Sequence, residues 1–330
     1  MKIFVAIIII SYIAMFLLSG CFGKAETPTQ SHSPVQSSPI TQSDEQDQLE
    51  APSSPSPVHP TPSLIDVDSH VVTVQVHSDM LHRDMEMSVY LPAGYSKEVK
   101  YPVLYMLYGY GGTHDAWFTY LHLQDVADRL IEEGAIDPLL IVSPDYGNSF
   151  AVNSRIEDGN DPHSVDIGPY EDYLIQEVIP YVDTNYSTDA SNKGRYVGGA
   201  SMGGYASLYL GFNYPDLFSR IGAHSAAIWN YTSTDQFIGQ RDWLYANDAL
   251  RERRDPFKLA ESQKLDSVEV YLDCGTGDAL AEKDQALYDL LVSKGIEAEW
   301  VPSPGGHDAA YWSSQLENYL LFYSGVEQDT

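Results

Sequence analysis

The stretch Tyr196-Val-Gly-Gly-Ala-Ser-Met-Gly-Gly-Tyr-Ala-Ser-Leu208 carries Gly199-x-Ser201-x-Gly203 between a short β-prone run and a run that reads as helix. A sharp turn from strand into helix is the setting in which a serine is presented as a nucleophile. There the serine backbone is strained, and side chains two residues to either side would strike the neighbouring strand or helix. Gly199 and Gly203, with the extra Gly204, remove those side chains. A helix opening at Ser201 also aims its free N–H groups and the positive end of its dipole at any oxyanion formed on that serine. By themselves these residues equally fit a glycine-rich connection with no chemistry.

Outward from this elbow, apolar runs alternate with stretches of helical spacing. Residues 102–108 and 138–143 are continuous apolar runs that predict buried parallel strands, and 195–199, 218–224, 268–273 and 298–301 predict further strands. Helices are expected over 121–133, 170–181, 201–213, 280–294 and 309–323. Residues 70–77 and 85–91 alternate apolar with polar and predict an antiparallel pair. A long polar loop is expected over 145–168, and a polar, irregular insertion with some helix over 229–260. Repeated strand–helix alternation predicts one α/β domain over 65–330, a mostly parallel sheet with helices on both faces.

The chain of 330 residues has a formal charge of −29, which makes nucleic acid a poor partner. Residues 1–20 hold one lysine and a short apolar run, predicting a secretory signal or a membrane anchor. Leu18-Ser19-Gly20-Cys21 resembles the lipobox of bacterial lipoproteins. That resemblance implies cleavage before Cys21, a diacylglycerol on its thiol, and a domain tethered to a membrane outside the cytoplasm, where several acyl chains give stable anchoring. An uncleaved transmembrane helix is the alternative, for which the apolar run is short. Residues 21–64 are rich in Pro, Ser, Thr and Gln and predict a disordered linker. With Cys21 acylated, Cys274 is expected as a buried free thiol.

A serine hydroxyl needs an imidazole to take its proton, and that imidazole needs an acid to set its tautomer. His307, in Pro304-Gly-Gly-His-Asp308, follows a predicted strand and is the candidate base; His114, His122, His163 and His224 compete. Asp278, in Leu272-Asp-Cys-Gly-Thr-Gly-Asp278, is the candidate acid, with Asp273 as rival and Glu282 and Asp284 read as a solvated helix face. The order Ser201, Asp278, His307 is that of α/β-hydrolase triads. An oxyanion needs two N–H donors, expected from the backbone of Met202 and of Tyr110 in the turn Gly109-Tyr-Gly-Gly112. Trp117, Phe118, Trp229, Tyr231 and Trp312 are candidates to line a substrate cleft, each competing with ordinary packing. The acidic cluster Asp158-Gly-Asn-Asp161 reads as an exposed loop and lacks the spacing of an EF-hand calcium site. No zinc, phosphate-loop or dinucleotide signature occurs, so no metal or other cofactor is expected.

From Val71 to Tyr323 the chain resembles the Putative esterase family, which groups feruloyl esterases, esterase D-type thioesterases, siderophore esterases and mycolyltransferases. The resemblance is carried by Tyr108-Gly-Tyr-Gly-Gly112, Tyr170-Glu-Asp-Tyr173, Glu177-Val-Ile-Pro-Tyr-Val-Asp-Thr-Asn-Tyr186, Gly199-Ala-Ser-Met-Gly-Gly204, Gly275-Thr-Gly-Asp278 and Gly306-His-Asp308. It implies an α/β-hydrolase fold and a Ser201, Asp278, His307 triad that hydrolyses esters through an acyl-enzyme. Feruloyl or acetyl esters of polysaccharide are the implied substrates. A siderophore trilactone, acyl transfer to an alcohol, or a silent envelope carbohydrate-binding role remain as alternatives. Many members have histidine where this chain has Tyr108.

Overall fold

Apolar continuity decides which strands sit in the middle of the sheet. In the computed structural model, which describes residues 68–155, 164–229 and 238–326, every residue of β3 (Val103–Leu107), β4 (Leu140–Pro144) and β5 (Arg195–Ala200) is buried. Such strands are covered on both faces. β1 (His70–Ser78) instead alternates, exposing Thr73, Gln75 and His77 while Val72, Val74 and Val76 pack on the core. The signal segment 1–20 with Cys21, the linker 21–64, His163, Tyr231 and the acidic cluster at 158–161 lie outside the described residues. The described residues fall within one compact unit, Thr61–Thr330.

With β2 (Arg83–Leu91), β6 (Arg220–His224), β7 (Glu269–Gly275) and β8 (Glu297–Ser303), the sheet has eight strands in the order β1-β2-β4-β3-β5-β6-β7-β8. β2 pairs antiparallel with β1 and with β4, and all other neighbours are parallel. Register brings the carboxyl ends together: Leu107 lies beside Gly199, Ala200 beside His224, and Gly275 beside Ser303. Loops leaving β3, β5, β7 and β8 therefore share one edge, where an α/β sheet places its chemistry.

The helices follow the expected pattern with instructive differences. Short α1 (Ala116–Thr119) precedes α2 (Leu123–Glu132), which buries Leu123, Ala127 and Leu130 on one stripe. Helical structure expected to stop at 181 continues: α3 (Tyr170–Asp172) passes through a π-helical stretch, Tyr173–Val178, into α4 (Ile179–Asn185). Pro180 has no N–H to give residue 176, and the wider turn, with the Ile179 N–H on the Leu174 carbonyl, accommodates it. α5 (Met202–Asn213) is buried in all but its last residue. From residue 238 onward the insertion is more ordered than its composition suggests and contains α6 (Ile238–Leu244), α7 (Asp248–Arg254) and α8 (Pro256–Ser262). Asn247 and Asp255 cap the last two, and Arg254 is buried beneath the Trp243 ring, bonded to the Leu244 and Asn153 carbonyls. α9 (Ala281–Ser293) and α10 (Ala309–Ser324) complete the layers; α10 starts at the Asp308 cap and stops at Gly325, whose φ is +71°. Among the described residues no helix is long and apolar enough to cross a membrane.

The loop expected to be polar over 145–168 is polar only in part. Tyr146, Phe150, Ala151 and Val152 are buried, and Phe150 packs edge-on against Tyr205 of α5. Its neighbours Asp145, Gly147, Asn148 and Ser149 mask that apolar content in sequence.

Candidate active site

Between β5 and α5, Ser201 has φ +59° and ψ −115°, a conformation unfavourable to any residue but glycine. Backbone bonds on both sides hold it there. Its N–H donates to the His224 carbonyl at 2.8 Å, and its own carbonyl accepts from Ala227 at 2.9 Å and Tyr205 at 3.0 Å. The flanking glycines are required for space. A Cβ at Gly199 would lie 2.6 Å from the Gly203 backbone, and one at Gly203 would lie 2.8 Å from the Tyr108 carbonyl oxygen.

His307 and Asp278 reach this serine from adjacent loops. Gly277 donates to the Gly305 carbonyl at 2.8 Å, and a Cβ at Gly275 would fall 2.6 Å from the same oxygen, so the loops after β7 and β8 lie back to back. His307 Nδ1 lies 2.7 Å from Asp278 Oδ2, and Nε2 lies 2.8 Å from Ser201 Oγ. A carboxylate only accepts, so Nδ1–H donates to it and Nε2 keeps its lone pair toward the serine. The Asp278 side chain is 2% exposed and that of His307 37%, so the acid is shielded while the ring meets solvent. Burial of Asp278 opposes its charge. The bond from His307, the Leu280 N–H on Oδ1 at 3.0 Å, the charge His307 carries when protonated and the Cys274 thiol outweigh it and hold its carboxyl below the usual range.

The two expected oxyanion donors flank the same serine. Met202 opens α5, and a Cβ on Gly109 would sit 3.4 Å from Ser201 Cβ, which places the turn after β3 against the serine. Among the described residues neither the Met202 nor the Tyr110 N–H has a hydrogen-bond acceptor. The turn closes through Gly112 N–H on the Gly109 carbonyl at 2.9 Å, with Gly111 at φ +77°.

The competing histidines are placed elsewhere. His114 contacts Ser88 and Glu86, and His122 is exposed beside Asp125. His224 and Asp273 form a second pair at 2.6 Å, but it is sealed in the core with Tyr311, Tyr319 and Tyr323 hydroxyls around it, and the second ring nitrogen of His224 meets the Tyr323 hydroxyl instead of a serine. Asp284 corrects the reading of a solvated helix face: it is fully buried, and its Oδ2 accepts from Ala226 N–H at 2.8 Å. Burial first, then the Asp278 and Asp273 charges, push its carboxyl well above the ordinary range. Its spacing with Leu287 and Leu291, the buried stripe of α9, is the signal that sequence reading overlooked; Glu282 is exposed as expected.

The aromatic candidates separate. Trp312 is half-buried, edge-on to His307 at 5.1 Å, and its Nε1–H donates to Ser225 Oγ at 3.3 Å. Trp117 is a correction: at 1% exposure it belongs to the core and offers no surface to a substrate, and Phe118 beside it is 9% exposed. Trp229 is buried as well, packing against Phe150. Tyr108, where many relatives have histidine, is buried with its hydroxyl on Asp145, so its ring is not presented to a ligand. Cys274 is free and buried.

A family model described as Putative esterase matches residues 78–323. An acetyl esterase of Caldicellulosiruptor saccharolyticus is 21% identical over 280 residues, covering 78% of this chain and 98% of that protein. An endo-1,4-beta-xylanase/feruloyl esterase of Xylanibacter ruminicola is 33% identical over 149 residues, 43% of this chain and 19% of that protein. Among solved structures, a ferulic acid esterase superposes with a TM-score of 0.66 at 28% identity, covering 79% of this chain and all of the other.

Proposed function

The chain belongs to the Putative esterase family, and we propose that it hydrolyses carboxylic esters with Ser201 as nucleophile, His307 as general base and acid, and Asp278 as the acid that orients His307. Ser201 Oγ attacks the ester carbonyl as its proton passes to His307 Nε2. The tetrahedral oxyanion is stabilised by the Met202 and Tyr110 N–H groups and the α5 dipole. His307 then protonates the departing alkoxide, leaving an acyl group on Ser201. Water, deprotonated by His307, attacks that ester, and collapse releases the carboxylic acid and the free serine.

The observation that carries this reading is the continuous relay Ser201 Oγ–His307–Asp278, at 2.8 and 2.7 Å, behind a serine held in a strained turn. Feruloyl or acetyl esters of polysaccharide are the proposed substrates, supported by the names of the acetyl esterase and feruloyl esterase relatives. We place the enzyme outside the cytoplasm, anchored through Cys21 and spaced by residues 21–64, on the strength of Leu18-Ser19-Gly20-Cys21. Turnover of methyl ferulate, acetylated xylan, nitrophenyl acetate and a catecholate trilactone by wild type and Ser201→Ala tests it. The expected outcome is ferulate or acetate release that Ser201→Ala abolishes. Preference for the trilactone would move the substrate to siderophores, and turnover surviving in Ser201→Ala would refute the nucleophile.

A further inference from the structure

The turn expected to supply the Tyr110 N–H is exposed and glycine-rich, with Tyr110 46% exposed, and such a segment has no intrinsic reason to hold one orientation. An oxyanion donor is effective when it is aimed before the charge develops. Beyond its internal Gly112–Gly109 bond, what holds this turn comes from outside it. β4 is the parallel neighbour of β3, so the segment leaving β4 runs beside the turn leaving β3. Three side chains of Asp145-Tyr-Gly-Asn148 reach across. The Tyr146 hydroxyl donates to the Tyr108 carbonyl at 2.5 Å, the Asn148 side-chain oxygen accepts from Gly111 N–H at 2.7 Å, and the Asp145 carboxylate accepts from the Tyr108 hydroxyl. Tyr146 N–H returns a bond to that same hydroxyl at 2.9 Å, and the two rings lie 4.6 Å apart.

We infer that Tyr146 and Asn148 are positioning residues for the oxyanion turn, clamping the peptide groups on either side of the Gly109–Tyr110 peptide so that its N–H is held toward Ser201. The inference rests on the esterase reading above, because it concerns the oxyanion of that reaction. The clamp is itself anchored: Asn148 N–H donates to Asp166 Oδ2 at 2.7 Å, and the Tyr110 hydroxyl donates to the Ser164 carbonyl at 2.6 Å. Gly147 permits the close approach, since a Cβ there, at φ +57°, would lie 2.5 Å from Asp166 Oδ2. Tyr146 is fully buried, and burial followed by the Asp145 charge pushes its hydroxyl well above the ordinary range, so it remains a donor at every working pH. Without the clamp, the Gly109–Tyr110 peptide keeps the Gly112 N–H on its carbonyl and the tethered Tyr110 side chain, but among the described residues the peptides before and after it lose the side-chain bonds that set its tilt.

The test compares wild type with Tyr146→Phe, which removes one oxygen, and Asn148→Leu, which keeps the shape and removes the acceptor. Each is measured as the full chain for kcat and KM on nitrophenyl acetate, Ki for a trifluoromethyl ketone that forms the tetrahedral adduct, and Tm. A misaimed donor costs less than a deleted one, so kcat falls about 10- to 100-fold with KM within about twofold. Ki rises by the factor that kcat/KM loses, because the inhibitor reports tetrahedral-state binding. A folded variant with wild-type kcat and Ki overturns the inference, as does one whose kcat falls while Ki stays put. If Tyr146→Phe does not fold, Asn148→Leu decides. Wild type that neither turns over the ester nor binds the ketone would instead overturn the esterase reading, a distinct failure.

Discussion

Replacing Asp278 by asparagine changes one oxygen to an NH₂ group, and the surroundings determine which way that group faces. Oδ1 accepts the Leu280 N–H at 3.0 Å and Oδ2 accepts His307 Nδ1–H at 2.7 Å. Asparagine has one acceptor for these two donors. If its oxygen keeps Leu280, the NH₂ group faces Nδ1, which must then accept. The ring proton moves to Nε2, and the atom facing Ser201 Oγ loses the lone pair that would take the serine proton. Loss of the correct tautomer costs about 10⁴ in rate, or about 5 kcal/mol. If the amide flips instead, the tautomer survives but the Leu280 N–H faces another donor, at about 1–3 kcal/mol. The imidazolium of the transition state then also lacks its charged partner. Both routes lose, so kcat/KM of Asp278→Asn is expected to fall at least about 10²-fold and up to about 10⁴-fold. Steady-state hydrolysis of nitrophenyl acetate at pH 7, with circular dichroism to verify folding, measures it. A folded variant within about tenfold of wild type would refute the assignment of Asp278.

Three further outcomes are expected. Asp284 has a folded-state carboxyl raised by burial while the unfolded group ionises near about 4, so it stabilises the fold below that pH and loses that contribution as pH rises. Asp284→Asn, neutral throughout, should therefore show a flatter fall in Tm between pH 5 and 8 than wild type; parallel curves would contradict the raised carboxyl. Gly203→Ala drives a Cβ to 2.7 Å from the Leu107 backbone carbon, so stability should drop by about 1–3 kcal/mol with loss of turnover, and an unchanged Tm in thermal melts would refute the packing account. Trp117→Phe should lower Tm but leave kcat/KM within about twofold, because that ring has no exposed surface, whereas Trp312→Ala should alter kcat/KM directly through its contact with His307. Equal kinetic effects would contradict the separation of the two tryptophans.

The elbow was legible because steric crowding leaves glycine as the only residue for Gly199 and Gly203, so the constraint is written in local sequence. The loops carrying Asp278 and His307 were legible for a related reason: glycines mark where two loops pass within contact distance, and each follows an apolar strand. Tyr146 and Asn148 were missed because their bonds to the oxyanion turn join residues 37 or 38 positions apart, and polar neighbours hide a buried tyrosine. Asp284 was misread because a carboxylate on a helix is ordinarily solvated, although its spacing with Leu287 and Leu291 marks the inner face. Trp117 was misread for the converse reason, since a tryptophan just beyond a strand end can enter the core through one short helix. The π-turn before Pro180 needed the hydrogen-bond geometry itself.

Intact-mass and peptide analysis after reaction with a fluorophosphonate tests the central claim most directly. The account predicts one adduct, on Ser201, with parallel loss of ester hydrolysis, absent in Ser201→Ala and markedly slower to form in His307→Ala. A folded protein that hydrolyses esters but is modified elsewhere, or that resists modification altogether, would contradict it.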